Sequence, residues 1–363
     1  MLVIASLESG GAERAMAQLA DALVARGIAV DLVTWADGEA GDFHGLDPRV
    51  RRHARNWPAA KIGPLTRAAR GLSVLAWMRR LMRETAPDCV LSFIDQGNVL
   101  TLAASAGLGR RVVVAERVDP RANDTLGPFW RLARFLVYRR ADLVVGQTEA
   151  VAAWMSRRWG ARTTCIPNFL RPLPPPAATR ENVVVSVGRL VPQKAFDLAI
   201  RAFARVAPDF PGWRYVILGE GPCRTAWMRL CETLGISDRV RFEGLSREVE
   251  HWLGRAAIAV QPSRFEGFPN AVMEAMGMGV ATISSDCPSG PSDLIEHGVD
   301  GILVPVGEVD ALAREMAVLM GDPGLRQTLG SRAMALRERL SGERIMARWM
   351  AALSGEERPA ATK

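Results

Sequence analysis

At 363 residues the chain is long for a single hydrophobic core, and two domains are the expected arrangement. A hydrophobic content of 48% with 23% charged residues is that of a folded globular protein and excludes a disordered or collagen-like chain, and no apolar run approaches the ~18 residues a spanning helix requires. The formal net charge is +7, and its excess is one-sided: residues 1–168 hold 23 Lys+Arg against 16 Asp+Glu, while residues 169–363 hold 23 against 23.

The opening run Met1–Ser6 is too short for a signal peptide and reads as a buried strand. It leads through Gly10 and Gly11 into a helical pattern over Ala12–Val24, with Ala12, Ala15, Met16, Leu19 and Leu23 on one stripe. A glycine pair at a strand-to-helix turn lets backbone approach a ligand and points N–H groups at it, although many such pairs are simple turns. It is not G-x-G-x-x-G, which disfavours a dinucleotide site. Further apolar runs fall at Val30–Trp35, Val90–Phe93, Val112–Ala115, Leu143–Thr148 and Cys165–Pro167. Between Asp47 and Glu84 stand ten basic residues and no acid, and a second basic window, Thr125–Ala141, carries Arg131, Arg134, Arg139 and Arg140. These windows suit an anionic partner, whether phospholipid, pyrophosphate or nucleic acid, and would equally suit a solvated arginine face.

Residues 169–181 hold four prolines in five positions, Pro172 and Pro174–Pro176, and read as a stiff extended linker. The strand pattern restarts at Val183–Val187, Tyr215–Leu218, Val240–Phe242, Ile258–Pro262 and Thr282–Ser284, again with helical segments between. Continuous apolar strands alternating with helices imply parallel sheets covered on both faces. The expected fold class is therefore α/β, with a Rossmann-like domain over 1–168, the linker 169–181, a second such domain over 182–340, a C-terminal helix over 341–354 packing back toward the first domain, and a frayed tail 355–363.

The second domain opens with Val187-Gly188-Arg189-Leu-Val-Pro-Gln-Lys194-Ala-Phe-Asp197. An arginine and a lysine five positions apart, between a strand and a helix, can set two cations over one diphosphate. Lysine is rare here, three against 43 arginines, which sets Lys194 apart from ordinary surface charge. Gly221-Pro222 follows the next strand at the edge where α/β sheets bind ligands. The densest segment is Ser263-Arg-Phe-Glu266-Gly267-Phe268-Pro269-Asn270-Ala-Val-Met-Glu274-Ala-Met. Gly267, Pro269 and Asn270 punctuate a turn, and Asn270 suits an N-cap for a helix whose free N–H groups would attract an anion. Glutamates before and after that anion can each accept two hydroxyl protons.

An E-x7-E spacing alone describes many capped helices, but the surrounding Phe-Glu-Gly-Phe-Pro-Asn is specific, and here the chain resembles the retaining glycosyltransferases of family 4. Val187–Lys194 is similar to that family's G-R-L-x-x-x-K-G element, with Ala195 where glycine is usual. The resemblance runs from about Leu2 to Trp349. It implies the GT-B fold, two Rossmann-like domains facing across a cleft, and a donor site built from Gly10, Gly11, Arg189, Lys194, Gly221, Glu266, Gly267, Phe268, Pro269, Asn270 and Glu274. Glu266 would hold the hydroxyls of the transferred sugar, Glu274 the ribose, and Arg189 and Lys194 the departing diphosphate; Glu266, Arg189 and Lys194 form the expected catalytic set. The implied activity is hexosyl or N-acetylhexosaminyl transfer from a nucleotide sugar, a UDP-sugar for preference, to a glycan or polyprenyl-diphosphate-linked acceptor.

Arg131, Arg134, Arg139 and Arg140 are the expected contacts to acceptor or anionic membrane, on an enzyme peripheral to the inner face of the cytoplasmic membrane. No cofactor or metal is expected: Cys89, Cys165, Cys223, Cys231 and Cys287 and the four histidines have no ligand spacing, and an odd cysteine count suits a reducing cytoplasm. The cleft histidine common in the family is not evident, and Glu116-Arg117 can occupy its region. A sugar-nucleotide 2-epimerase of the same fold is the alternative enzyme. A nucleic-acid-binding protein is a weaker one, since the chain lacks any recognised module and basic-aromatic interleaving on a sheet.

Overall fold

A computed structural model of the chain describes residues 1–8, 10–35, 44–55, 64–121, 126–176, 179–246 and 248–356, without the side chains of 64–68. Ser9, Lys61, Arg67 and the end of the expected tail lie outside the described residues and side chains. The chain divides into two compact units, Met1–Asn168 with Glu343–Lys363, and Phe169–Gly342. Among the described residues no helix is long and apolar enough to cross a membrane.

The first unit holds β1 (Leu2–Val3), β2 (Asp31–Thr34), β3 (Arg51–Ala54), β4 (Cys89–Phe93), β5 (Arg111–Ala115), β6 (Leu143–Gly146) and β7 (Thr163–Cys165), all parallel in the order β3-β2-β1-β4-β5-β6-β7. The central strands are buried on both faces, as parallel packing demands. The helix Gly11–Val24 turns Met16, Leu19 and Leu23 inward at helical spacing. In Pro64–Thr85, Val74, Met78, Leu81 and Met82 do the same and join the core of Val3, Val33 and Val90. Strand β3 is absent from the apolar pattern because its sequence is Arg-Arg-His-Ala. As an edge strand it needs no apolar face, and Arg51 and His53 instead bond the buried Asp31 at 2.7 and 2.8 Å.

The second unit holds β8 (Glu181–Val187), β9 (Arg214–Leu218), β10 (Val240–Gly244), β11 (Ala256–Gln261), β12 (Ala281–Ser285) and β13 (Ile302–Val304), parallel in the order β10-β9-β8-β11-β12-β13. The helix Phe196–Val206 buries Phe196, Ala199, Ile200, Phe203 and Val206 in a core with Tyr215, Ile217, Trp227 and Met316. The short β13 escaped the sequence pattern, being three residues long. The proline-rich segment belongs to this unit: Leu170 is buried and bridges Ser341, and Arg337 donates to the Pro174 carbonyl at 2.7 Å. The last helix, Gly342–Ser354, falls almost wholly in the first unit, where Trp349 meets the Phe93 ring at 5.9 Å and Arg111 donates to the Ala352 carbonyl.

Candidate functional site

In the second sheet the strand order reverses between β8 and β11, and open parallel sheets bind ligands at the carboxyl ends of the strands at such a point. The two specific motifs leave these two strand ends. From β8 runs Gly188-Arg189 and a turn of 3₁₀ helix, Pro192–Lys194; from β11 runs Ser263–Pro269 into the helix Asn270–Gly277. Lys194 Nζ donates to Glu266 Oε1 at 2.6 Å, joining residues 72 positions apart. The same oxygen accepts from Ser263 Oγ at 2.6 Å, and Ser263 Oγ accepts from Gln261 Nε2 at 2.9 Å. Gln193 ties the loops together, its side chain donating to the Phe265 carbonyl and its own carbonyl accepting from Arg264 N, both at 2.9 Å. Glu266 is 5% exposed, so its charge stays buried beside an ammonium and a hydroxyl. Arg189 is exposed on the same loop, and Glu274 is buried on the helix that follows Pro269.

Glycines hold these loops in place. Gly188 N donates to the Leu218 carbonyl, Leu190 N to the Glu220 carbonyl, and Cys223 N to the Leu190 carbonyl, at 2.8–2.9 Å. Gly219 and Gly221 have φ of +137° and +156°. A β-carbon on Gly219 would strike the Gly188 carbonyl oxygen, and one on Gly221 would lie 2.5 Å from that of Leu190. Gly221 therefore supports the Arg189 loop from beneath. Gly267, Phe268 and Pro269 are buried, and Ser289 Oγ donates to the Gly267 carbonyl at 3.3 Å. Gly290, at φ +95°, leaves room for Pro269, whose Cδ would lie 2.6 Å from an added β-carbon. Asn270 differs from expectation. Pro269 holds the N-cap position and Asn270 is the first helical residue, so the fixed φ of proline starts this helix. Ala195 adopts the left-handed region at φ +50° while fully buried, which explains why glycine is usual there. Cys287 is a packed thiol, its pKa pushed up to about 12 by burial, with the Glu266 charge adding to the effect.

Gly10 and Gly11 lie in the first unit, at the carboxyl end of β1. Gly10 caps the helix with an ordinary φ of −92°, and the Glu13 carboxylate fills the space a β-carbon would take. That sheet reverses order between β1 and β4, and Ile94, directly after β4, has φ +72°, a strained value for a β-branched residue.

After β5, Glu116 and Arg117 are both buried. Tyr138 donates to Glu116 Oε1 at 2.6 Å, Asn98 Nδ2 to the Tyr138 oxygen at 3.0 Å, and Ser92 Oγ to Asn98 Oδ1 at 2.7 Å. Burial pushes the Glu116 pKa up to about 7, against the pull of Arg134. Arg117 donates to Asn168 Oδ1 and stacks over Phe93 at 4.4 Å; burial lowers its pKa to about 9, leaving it charged at neutral pH. Sequence reasoning missed Tyr138 and Asn98, though a usable signal existed: the chain has only two tyrosines, and both are fully buried and hydrogen-bonded to side chains.

The expected surface arginines need correction. Arg134 is 6% exposed, stands 3.5 Å from Glu116 and stacks over Trp159 at 5.0 Å, so it cannot contact an acceptor or membrane. Arg131, Arg139 and Arg140 are exposed. In the other basic window, Arg49 pairs with Asp47, Arg51 with Asp31 and Arg80 with Glu84, while Arg79 donates to the carbonyls of Ala104 and Ala106. Much of that charge is already partnered.

Two doubly covered parallel sheets, with glycine-rich loops at the switch point of the second, are the architecture of the GT-B class. Comparison with known proteins agrees: residues 181–322 match the family described as glycosyl transferases group 1, and residues 10–168 match the glycosyl transferase 4-like domain. The chain belongs to these family 4-type glycosyltransferases. It is similar to an exopolysaccharide phosphotransferase of Streptomyces coelicolor, with 35% identity over 57% of this chain but only 23% of that relative. It is 28% identical, over 91% of each chain, to a Campylobacter jejuni alpha-1,4-N-acetyl-D-galactosaminyltransferase named for a diNAcBac-PP-undecaprenol-linked acceptor. Among solved structures, Anabaena HepE in complex with UDP-glucose superposes with a TM-score of 0.80 at 20% identity, covering 98% of both chains.

Proposed function

We propose that this glycosyltransferase moves a hexosyl or N-acetylhexosaminyl group from a UDP-sugar, with retention of anomeric configuration, to a lipid-linked or polysaccharide glycan at the inner face of the cytoplasmic membrane. The observation that carries the donor assignment is the Lys194–Glu266 pair at the β8/β11 switch point. A cation suited to a departing diphosphate there touches a carboxylate suited to sugar hydroxyls. In the absence of donor each charge compensates the other. On donor binding the ammonium turns to phosphate oxygens and Glu266 accepts from sugar hydroxyls, with Ser263 keeping its carboxylate in place.

Cleavage of the bond from the anomeric carbon to the leaving oxygen places negative charge on the diphosphate. Lys194, the exposed Arg189 and the N–H groups of the helix Asn270–Gly277 stabilise that charge where it develops. The proton of the attacking hydroxyl passes to a leaving phosphate oxygen, so no separate base is needed. Glu274, buried one turn into that helix, takes the ribose hydroxyls. The relatives' acceptor names and the UDP-glucose bound in HepE support this reading. Both family models describe transferases, which disfavours the epimerase alternative.

The test is thermal-shift screening against nucleotide sugars, followed by proton NMR of the product formed with the stabilising donor. A UDP-sugar that raises Tm and yields a product of unchanged anomeric configuration fits the proposal; inversion, or turnover of donor to an epimer without acceptor, contradicts it. Because the charge is carried by Lys194 and Arg189, turnover in excess chelator is expected to equal that in its absence, and a loss restored by divalent cation would contradict a metal-free site.

A further inference from the structure

The helix Pro128–Val137 is built inside out. Its inward face carries Arg134, paired with Glu116 and covered by Trp159, together with the half-buried Trp130 and Val137. Its outward face carries Phe129, Leu132 and Leu136, which are 71%, 59% and 56% exposed. These three lie at i, i+3 and i+7 and form one continuous stripe. Single exposed leucines are ordinary, but three large apolar side chains on one face of a ten-residue helix make a patch. Basic groups rim the stripe. Arg139 and Arg158 both stack on Phe135, at 5.0 and 4.9 Å, Arg131 and Arg140 are exposed on and just after the helix, and the exposed Arg157 adjoins Arg158 in sequence. No acid occurs between Leu126 and Ala141.

We propose that this helix is a membrane-docking element: Phe129, Leu132 and Leu136 insert into the acyl boundary of an anionic bilayer while the surrounding arginines meet its headgroups. Charge complementarity selects this occupant. A second copy docked on the same face would set two arginine rims against each other, whereas an anionic leaflet answers both the apolar stripe and its rim. The inference deepens the proposed function, since it rests on a lipid-linked acceptor for its purpose. It also replaces a purely electrostatic attachment: the apolar stripe holds at salt concentrations that screen the arginines.

The experiment uses the full chain in co-sedimentation with phosphatidylglycerol-containing vesicles and with pure phosphatidylcholine vesicles, at low and high salt. Wild type is expected to bind the anionic vesicles and to retain part of that binding at high salt. Replacing Phe129, Leu132 and Leu136 together by Ser should weaken the partition coefficient by about thirtyfold or more, given three large apolar groups kept in water. Each single replacement should weaken it by about threefold or more, which keeps the test open if the triple variant folds poorly. Replacing Arg131, Arg139 and Arg140 by Gln should weaken binding by about a hundredfold at low salt and flatten its salt dependence. Unchanged binding of the Ser variants overturns the proposal, as does wild type that ignores anionic vesicles. Concentration-dependent dimerisation abolished by the Ser variants, with no vesicle binding, would instead assign the face to a second copy and also overturn it. Nucleotide-sugar melting shifts of the same variants are read separately, so a failed donor assignment leaves the docking result standing and the reverse also holds.

Discussion

Lys194 compensates the buried Glu266 carboxylate whereas Arg189 stands exposed, which makes the removal of these two cations asymmetric. Lys194→Ala strips a cation from a buried carboxylate, and Arg189→Ala strips an exposed one. Both should lower turnover by roughly a hundredfold or more, the scale of one preorganised charge stabiliser. Only Lys194→Ala should also lower Tm, and wild-type turnover in either purified variant would take that residue out of the mechanism. Glu266→Ala should depress kcat with little effect on binding of the free nucleoside diphosphate, while Glu274→Ala should weaken that binding. The reverse pattern in calorimetric titration would exchange the two roles. In the first unit Glu116 offers a pH signature. Its pKa in the fold, about 7, stands above the ordinary 4.5, so the native state binds more protons than the unfolded chain between those values. Its contribution is fully present below about pH 4.5 and is lost as pH rises through 7. Glu116→Gln should therefore narrow the stability difference between pH 5 and pH 8 by an amount on the order of 3 kcal/mol, the linkage equivalent of that shift. Identical pH profiles for the two proteins in urea denaturation would refute it.

At the scale of elements, the sequence displayed what burial enforces and concealed what partners supply. The core strands of both sheets stand out because parallel packing makes them continuously apolar. Strand β3 stayed hidden because Arg51 and His53 answer to Asp31, twenty residues or more away, and no local pattern records that. The two segments proposed to hold the donor, Gly188–Lys194 and Glu266–Glu274, stand out in the sequence, yet the Lys194–Glu266 contact spans 72 positions and appears only once β8 and β11 are neighbours. The Arg134 error has the same origin: a basic window reads as surface until Glu116 is placed beneath it. Glycine placement gives a test of this layering. Gly219→Ala drives a β-carbon into the Gly188 carbonyl and so shifts the Arg189 loop, whereas Gly298, at φ +75°, has open space around it. Both substitutions should cost stability, about 1–3 kcal/mol for the strained φ. Only Gly219→Ala should weaken nucleotide-sugar binding, and equal affinities for the two variants would show that the β9 loop does not support the site.

Across the whole molecule, the order of the chain and the order of the cores disagree. The first core is completed by a helix that follows the whole second unit in sequence: Gly342–Ser354 buries Ile345, Met346, Trp349 and Ala352, all but its first residue within the unit that holds Met1–Asn168. Trp349 packs on Phe93, which also carries the Arg117 guanidinium over its ring, and Arg111 and Arg348 donate to the carbonyls of Ala352 and Cys165. Deleting this helix therefore damages the unit that holds Met1–Asn168. Trp349→Ala removes a fully buried aromatic and should cost about 3–5 kcal/mol. In a unit of this size that lowers Tm by on the order of 10 °C. The loss belongs to one unit, so the melt should separate into two transitions, and a single Tm would no longer describe the chain. Hydrogen exchange locates the effect: protection should fall in Cys89–Phe93 and Arg111–Ala115 and persist in Glu181–Val187 and Ala256–Gln261. Nucleotide-sugar binding through the proposed donor loops, which lie in Phe169–Gly342, should survive at temperatures where the first unit has already opened. Protection lost equally from both sheets would mean that the two units melt as one, and the assignment of the last helix to the first core alone would be wrong.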